Sequence, residues 1–287
     1  MTDVADISPL SRVLDRADAA AGAAAGTVPA GTVVTGFPTL DALLGGGLRR
    51  GDLVVLAGDA GSGKSALALA MALRASEGGH DAFVLSGEMT PERVLERALA
   101  IEGRVRVDDL RRGALDDAAR ATVGAAALRL RHRTPGIAML PPGGTEPVAD
   151  VLRRALDTEL AVVDPLGALA AGLRPRDEEL ATAVRALKAI ALELDLALVV
   201  TAPLALPVRG RADPRPTLDD LGAMGALAQH ADVVLALYRE EMYQADRGIE
   251  GATELLVLKN RNGRTGYVDL YFYGAWLRFE DMVEPDR

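Results

Sequence analysis

The sequence has no cysteine, and its three histidines, His80, His132 and His230, are far apart along the chain. The lack of cysteine excludes disulfides, iron–sulfur clusters and thiolate zinc sites, and scattered histidines do not make a metal site by themselves. There is also no apolar run of about 18 residues, the length that a membrane helix needs. The N-terminus, MTDVADISPL, is acidic where a secretory signal would be basic. We therefore expect a cytoplasmic protein that does not enter a membrane.

Basic residues are also outnumbered by acidic ones, which gives a formal net charge of −9. This charge argues against a broadly basic surface, so any nucleic-acid binding must come from a local group of basic residues. With 287 residues, 49% of them hydrophobic, the chain is long enough for one large globular domain.

The N-terminal region is predicted to be separate from that domain. Residues 8–20 place Leu10, Val13, Leu14 and Ala17 on one face of a helix. The Gly/Ala/Pro-rich stretch that follows is typical of a flexible connection. We expect a helix and its connection over residues 1–30 and a single domain over residues 31–287.

From residue 51, short apolar strands alternate with helices, a pattern that predicts an α/β fold with a mostly parallel, doubly wound sheet. The predicted strands are 52–57, 82–86, 137–140, 159–163, 197–201, 232–238, 252–258 and 267–273. The predicted helices are 65–77, 91–101, 116–131, 146–157 and 178–194. The turn sequence KNRNGRTG predicts that the last two strands form an antiparallel hairpin.

The segment GDAGSGKS matches the phosphate-loop pattern, between a predicted strand and a predicted helix. In such a loop, backbone N–H groups surround the phosphates of a nucleotide. Lys64 would neutralise phosphate charge, and Ser65 would bind Mg²⁺. The predicted ATP-binding residues are Gly58, Asp59, Ala60, Gly61, Ser62, Gly63, Lys64 and Ser65.

Two acidic residues at strand ends complete the predicted hydrolytic site. Asp164 ends the strand AVVD and could contact the magnesium ion, although an aspartate before a proline could also simply stabilise a turn. Glu88 follows another strand, at the sheet edge where parallel strands collect their ligands, and could orient the attacking water. The sequence alone equally allows Glu88 to be an acidic residue near the start of the next helix.

Lys259 and Arg261 lie at the end of another predicted strand, in a turn that would project them outward. An outward-facing arginine could reach the γ-phosphate of a neighbouring subunit. A solvated basic hairpin is the alternative interpretation.

Several segments together resemble the RecA-like motor domain of the DnaB-type replicative helicases. They are TGFPTLDALLGGGLRRGDLVVLAG, LSGEMTPERVLERALA, AVVDPLGAL, RPTLDDLGAMGALAQHADVVLALYREEMY and LKNRNGRTGYVDLYF. The resemblance implies a P-loop ATPase with a RecA-like fold, a hexameric ring of identical subunits, and helicase action on single-stranded DNA in replication. The helix at 8–20 resembles the linker helix of the family, and we expect the separate N-terminal domain of the family to be absent.

The same resemblance implies roles for individual residues. Glu88 corresponds to the catalytic glutamate and Asp164 to the Walker-B aspartate. Lys259 and Arg261 correspond to the γ-phosphate sensor and to the arginine finger that is donated to the next subunit.

The sequence departs from the family where the DNA-facing loops are expected. Pro165-Leu166-Gly167 stands where the family usually has Tyr-Leu-Gln, Pro203 replaces a γ-phosphate-sensing glutamine, and Gly222-Ala223-Met224 replaces Arg-Glu-Ser. The groups for hydrolysis are therefore predicted to be present, while those coupling it to movement on DNA are eroded.

Three arginines between the strands at 197–201 and 232–238 could still meet DNA phosphates in a ring channel, namely Arg209, Arg211 and Arg215. A solvated Pro/Arg-rich loop is the alternative, since the loop has no aromatic residue for base stacking. Two other functions stay open: a RadA/KaiC-like regulatory or recombination ATPase, and a paralogue that binds ATP and assembles without unwinding.

Overall fold

A computed structural model describes residues 29–170, 172, 174–206, 208, 210–244 and 248–282, together with residues 10, 11, 13, 14, 17 and 18. Its strands are β1 (Thr32–Val33), β2 (Leu48–Arg49), β3 (Leu53–Gly58), β4 (Ala82–Ser86), β5 (Gly136–Met139), β6 (Leu160–Asp164), β7 (Ala197–Pro203), β8 (Val233–Tyr238), β9 (Ala252–Asn260), β10 (Gly266–Tyr273) and β11 (Arg278–Asp281). Its α-helices are Pro38–Leu44, Lys64–Glu77, Pro91–Gly103, Val107–Arg112, Asp117–His132, Thr145–Arg154, Arg176–Glu193 and Ala226–His230.

Nine strands form the main sheet in the order β11-β10-β9-β8-β3-β7-β6-β4-β5. The neighbours from β8 to β5 run parallel, whereas β8, β9, β10 and β11 pair antiparallel. The central strand, β3, pairs with β7 on one side and with β8 on the other. The predicted α/β fold and its closing antiparallel hairpin are confirmed.

Both faces of the sheet are covered by helices, so β3 is buried along its whole length. Val54 and Leu56 face one hydrophobic cluster, which includes the helix Lys64–Glu77, while Val55 and Ala57 face the other, which includes the helix Arg176–Glu193. A strand with two buried faces reads as a continuous apolar run, and this is why LVVLA could be recognised from the sequence.

The predicted helices and strands agree with the structure to within three residues at each end. Several short elements were not predicted, among them β11 and the helices Pro38–Leu44 and Val107–Arg112. The strand β11 pairs with β10 and buries Phe279, so the closing part of the sheet has a further strand beyond the predicted hairpin. Four residues carry too little periodicity to identify such a strand without its partner.

The predicted helix over residues 8–20 lies largely outside the described residues. The six described residues between positions 10 and 18 are helical, and Leu10, Val13 and Leu14 are exposed. Across the described parts of the chain, no helix combines the length and the apolar character needed to cross a bilayer.

Candidate nucleotide site

The phosphate loop connects the end of β3 to the helix Lys64–Glu77. At Gly63, φ is +102° and an added Cβ would lie 2.8 Å from Cζ of Phe279. Any other residue there would meet both an unfavourable backbone conformation and a buried ring. The local sequence therefore requires glycine immediately before the helix, where the first N–H groups have no partner within the helix.

The side chain of Lys64 closes over this loop. Its Nζ donates hydrogen bonds to the carbonyl oxygens of Gly58 and Asp59, at 2.9 and 2.8 Å. Burial lowers the pKa of Lys64, and the carboxylates of Asp164, Asp59 and Glu88 oppose that shift. The ammonium group of Lys64 is therefore partly desolvated and hydrogen-bonded to neutral carbonyl oxygens. A phosphate bound in the loop could pair with its charge directly.

Asp164 ends β6 and is 5% exposed. Its Oδ1 accepts a hydrogen bond of 3.0 Å from the hydroxyl of Ser65 and another from the hydroxyl of Thr201 on β7. A hydroxyl beside a buried carboxylate is the type of hard oxygen ligand set that suits Mg²⁺, which completes its shell with water and phosphate oxygens. No group of three His, Cys, Asp or Glu residues suited to a metal occurs in the described part of the chain.

Thr201 is a further candidate site residue, one that no motif of the sequence singles out. It is the last residue of the predicted strand 197–201 and the only polar one there. Because β7 pairs with both β3 and β6, Thr201 lies beside the phosphate-loop strand and the strand of Asp164. A polar residue at the end of an apolar strand was the available signal, but only the strand order identifies its neighbours.

Glu88 lies just beyond β4 and is exposed. The amide N–H of Gly87 donates to the backbone oxygen of Asp164 at 2.7 Å, which ties the Glu88 segment to the end of β6. Glu88 is also close enough to Lys64 to act on its pKa. The structure thus brings Glu88, Lys64, Ser65 and Asp164 to one edge of the sheet.

The segment after β8 contacts the outer side of the phosphate loop. The Tyr243 hydroxyl donates to Oδ2 of Asp59 at 2.9 Å, and Arg239 donates to the backbone oxygen of Gly61 at 3.4 Å. The guanidinium of Arg239 lies 4.6 Å from the ring centroid of Phe272. The sequence offered no signal for these contacts, because Tyr243 and Asp59 are separated by 184 residues.

Lys259 and Arg261 lie at the opposite edge of the sheet from the phosphate loop. Nη1 of Arg261 is 3.0 Å from Oδ1 of Asp232, whose Oδ2 accepts from the amide of Leu53 at the start of β3. From Leu53 to Gly58 the strand rises by about 16 Å. Arg261 is therefore far from the phosphate loop of its own subunit.

The side chain of Lys259 is half-buried, which differs from the prediction that it projects outward. Its Nζ donates to the backbone oxygens of Ala228 and Gln229, at 2.8 and 3.3 Å, near the end of the helix Ala226–His230. Burial lowers its pKa, and nearby Arg261 lowers it further. The carbonyl groups at a helix end attract a cation, and this explains the inward orientation.

Of the three arginines considered for DNA, Arg209 lies outside the described residues. Arg211 makes a bidentate ion pair with Asp220, which is fully buried. Arg215 pairs with Glu254 at 2.6 Å and lies 5.0 Å from the ring centroid of Tyr238. A DNA phosphate would have to compete with these internal carboxylates for both arginines.

Four of the positions at which the sequence departs from the family that it resembles lie around one small cavity of about 180 Å³. Gly167, Pro203, Gly222 and Ala223 all line it. Pro203 ends β7, paired in register with Gly58 of the phosphate loop. These four positions, which are scattered along the sequence, therefore lie together beside the end of the strand that leads to the candidate phosphate loop.

The family described as "DnaB-like helicase C terminal domain" matches residues 32–281 of this chain. The "Replicative DNA helicase DnaB" of Leifsonia xyli subsp. xyli is 34% identical over 258 residues, which cover 88% of this chain and 56% of that protein. The protein of the same name from Geobacillus stearothermophilus is 29% identical over 266 residues, with 87% and 56% covered. The chain thus spans about half the length of the relatives it matches.

Solved structures show the same fold. One described as an ATPase domain superposes with a TM-score of 0.87 at 24% identity, covering 96% of this chain and 99% of that one. A KaiC-like protein of Pyrococcus horikoshii OT3 gives a TM-score of 0.60 at 17% identity, with 88% and 99% covered. The predicted RecA-like ATPase fold is confirmed, and the similarity to the first of these structures is the stronger.

Proposed function

This chain belongs to the DnaB-like helicase C-terminal domain family, and from that premise we propose that it is an ATP-hydrolysing ring motor acting on single-stranded DNA. The observation that supports this most directly is the arrangement of Lys64, Ser65 and Asp164 at one sheet edge, with Glu88 beside them. This set provides what phosphoryl transfer requires, namely a cation for the phosphates, oxygen ligands for a metal and a carboxylate for water. We also propose a cytoplasmic location and a role in DNA replication.

In the proposed reaction, the phosphate loop binds the β- and γ-phosphates of ATP through its N–H groups and Lys64. On binding, Lys64 would exchange its bonds to the Gly58 and Asp59 carbonyls for phosphate oxygens. Ser65 and Asp164 would hold Mg²⁺, which when bound neutralises phosphate charge. Glu88 is exposed, so it can accept a hydrogen bond from an attacking water and orient it.

The base of the nucleotide has a candidate position as well. Arg239 contacts the loop at Gly61 and faces the ring of Phe272. Phe272 itself is buried against Phe279, so a purine could stack only on the face of the Arg239 guanidinium that is turned away from Phe272, once its phosphates occupy the neighbouring loop.

Arg261 supports assembly into a ring. It is exposed and lies across the sheet from the phosphate loop of its own subunit, so a role in phosphoryl transfer requires the site of a neighbouring subunit. Lys259 would serve as the accompanying γ-phosphate sensor, and it would first have to leave the helix end that it now contacts. We propose a hexamer, with each site shared between two subunits.

The DNA contact is proposed for the loop between β7 and β8, which carries Arg209, Arg211 and Arg215. Their positive charge is the support, since backbone phosphates attract basic loops without regard to base sequence. Arg211 and Arg215 would contribute only after release from Asp220 and Glu254.

A second function is favoured by the cavity beside Pro203, namely a paralogue that binds ATP and assembles without unwinding DNA. Pro203 and Gly167 offer no side-chain hydrogen bond that could carry the state of the γ-phosphate to the DNA loop. Binding and hydrolysis would then persist without coupling to DNA.

The steady-state ATPase rate, with and without single-stranded DNA, separates the two proposals. A DNA-dependent increase of several-fold in a hexamer-sized species supports the motor. Hydrolysis that is indifferent to DNA, in a protein that still assembles with nucleotide, supports the non-unwinding paralogue. Absence of nucleotide binding contradicts both.

A further inference from the structure

A buried carboxylate, Asp232, connects the start of β3 to Arg261. Asp232 is 1% exposed and immediately precedes β8. Its Oδ2 accepts from the amide of Leu53 at 2.8 Å and from Nζ of Lys188 at 2.6 Å. Its Oδ1 lies 3.0 Å from Nη1 of Arg261. One oxygen is therefore fixed by the body of the domain, and the other faces the arginine.

The turn between β9 and β10, which carries Arg261, is also bound to Asp232 through its backbone. The amide of Arg261 donates to the backbone oxygen of Asp232 at 2.8 Å. The next residue, Asn262, donates from Nδ2 to Oδ2 of Asp52 at 2.9 Å. Both carboxylates lie at the amino end of β3, the strand that leads to the phosphate loop. The position of this turn is thus set relative to the central strand.

Burial differs sharply across the Asp232–Arg261 pair. The side chain of Asp232 is 2% exposed, whereas that of Arg261 is 52% exposed. An exposed arginine on a turn samples many rotamers, and an ion pair between two exposed groups would restrict it weakly. A carboxylate that is already fixed by Leu53 and Lys188 can restrict the guanidinium and still leave half of the side chain open to an incoming group.

We propose that Asp232 is a positioning residue for Arg261, one that aims its guanidinium outward toward the phosphate site of a neighbouring subunit. This inference rests on the proposed ring ATPase. Asp232 does not touch the nucleotide in either subunit, and its effect is confined to the subunit that donates the arginine. That confinement distinguishes it from a residue that only stabilises the fold.

A mixture of two inactive variants provides the test. Lys64→Ala protein has a disabled phosphate site and an intact Arg261, and Arg261→Ala protein has an intact phosphate site. If the arginine acts between subunits, mixing the two restores ATPase activity at those interfaces where Lys64→Ala donates the arginine. No activity in the mixture would overturn the role of Arg261 between subunits, and the positioning role of Asp232 with it.

Asp232→Asn is then added to one partner at a time. Asparagine keeps the size and can still accept from the Leu53 amide, but it carries no charge for Arg261. In the arginine donor, Lys64→Ala, we expect the kcat of the mixture to fall about tenfold or more, because small misplacements of a catalytic group are costly. In the site donor, Arg261→Ala, we expect little change in kcat, and an unchanged KM for ATP in both cases.

Equal losses in the two backgrounds, or no loss in either, would overturn the proposal. The change also leaves the partly buried Lys188 without its carboxylate, and thermal unfolding of each variant shows whether the fold is destabilised. The paired change Lys188→Met with Asp232→Asn removes both charges and is tested in the same two backgrounds. The same loss confined to the arginine donor supports the positioning role, and an equal loss contradicts it.

Discussion

At the scale of single residues, the roles at the nucleotide site are separable because each candidate has different surroundings. Lys64 is partly buried against loop carbonyls, Asp164 is buried and shared by two hydroxyls, and Glu88 is exposed. A buried carboxylate held by hydroxyl groups is suited to a metal, whereas an exposed one can approach water. The geometry therefore distinguishes the two acids, which the sequence presents alike as acidic residues near strand ends.

Glu88→Gln tests the water-orienting role. The amide keeps the size of the side chain and cannot take a proton, so we expect nucleotide binding to persist while kcat falls by about 100-fold or more. Binding of a fluorescent ATP analogue and steady-state turnover measure the two effects. Glu92→Gln, the same change at an exposed position in the first turn of the helix Pro91–Gly103, is the control and should leave turnover unchanged. Normal turnover in Glu88→Gln would remove Glu88 from this role.

The raised pKa of Asp52 predicts that the stability of the protein depends on pH. Burial and the neighbouring Asp232 raise the pKa of Asp52 from 3.8 to about 6. Between these values the native protein holds a proton that the unfolded chain has released, so this group makes stability fall as pH rises. Asp52→Asn removes the effect. Because Asp52 is half-buried and screened by solvent, we expect the variant to gain about 1 kcal/mol relative to wild type between pH 4 and pH 7.

Urea unfolding of both proteins at pH 4.5 and pH 7 measures this gain. Asp117→Asn, at an exposed helix position, is the control. A difference between Asp52→Asn and wild type that is the same at both pH values would contradict the assignment.

At the scale of elements, the first turns of two helices differ in whether a side chain caps them. The helix Lys64–Glu77 follows Gly63 as its N-cap, and no side chain caps its first N–H groups. The peripheral helix Asp117–His132 has a conventional cap, since Oδ1 of Asp116 accepts from the amide of Ala119 at 2.7 Å. Side-chain caps stabilise a helix, and a free first turn can instead bind an anion.

Asp116→Ala should therefore destabilise the protein by about 1 kcal/mol, the usual contribution of an aspartate cap. The matched control is Asp117→Ala, which removes an exposed aspartate one residue later without removing the cap. The free energies of unfolding in urea give the comparison. Equal losses in the two variants would mean that the charge near the helix start matters and the cap does not.

At the scale of the whole molecule, β3 lies between the candidate phosphate loop and the turn that carries Arg261. Its carboxyl end leads to the phosphate loop, and its amino end lies beside Asp52 and Asp232, which hold the turn of Arg261. A subunit with its phosphate site and its arginine on opposite edges is suited to head-to-tail contacts. Such contacts close into a ring when the rotation between subunits allows it.

The predicted consequence is assembly that depends on nucleotide. A non-hydrolysable ATP analogue should shift the wild-type mass toward a hexamer, because a bound γ-phosphate gives Arg261 a partner in the adjacent subunit. Arg261→Ala should weaken that shift, while Arg264→Ala, an exposed arginine of the same turn, should not. Light scattering at matched concentrations measures the masses. If the mass of the wild-type protein is the same with and without the analogue, nucleotide-dependent assembly is contradicted.

The sequence by itself determined the strands, the longer helices and the phosphate loop, because each of these has a local signal. Buried strands such as β3 and β4 are continuous apolar runs, and a phosphate loop must carry glycine, lysine and serine within a few residues. Asp164 and Glu88 could be proposed as neighbours in a site because parallel strands present their carboxyl ends at one edge. Where the signal was only four residues long, as in β11, the sequence was insufficient.

Only the tertiary structure decided which side chains meet. Thr201 reaches Asp164, Tyr243 reaches Asp59 and Arg261 reaches Asp232 because strand order and register bring them together. It also turned Lys259 inward and gathered Gly167, Pro203 and Gly222 around one cavity. The physical reason is that periodicity reports which face of an element is buried, whereas the partners across a sheet depend on how distant segments pair and pack.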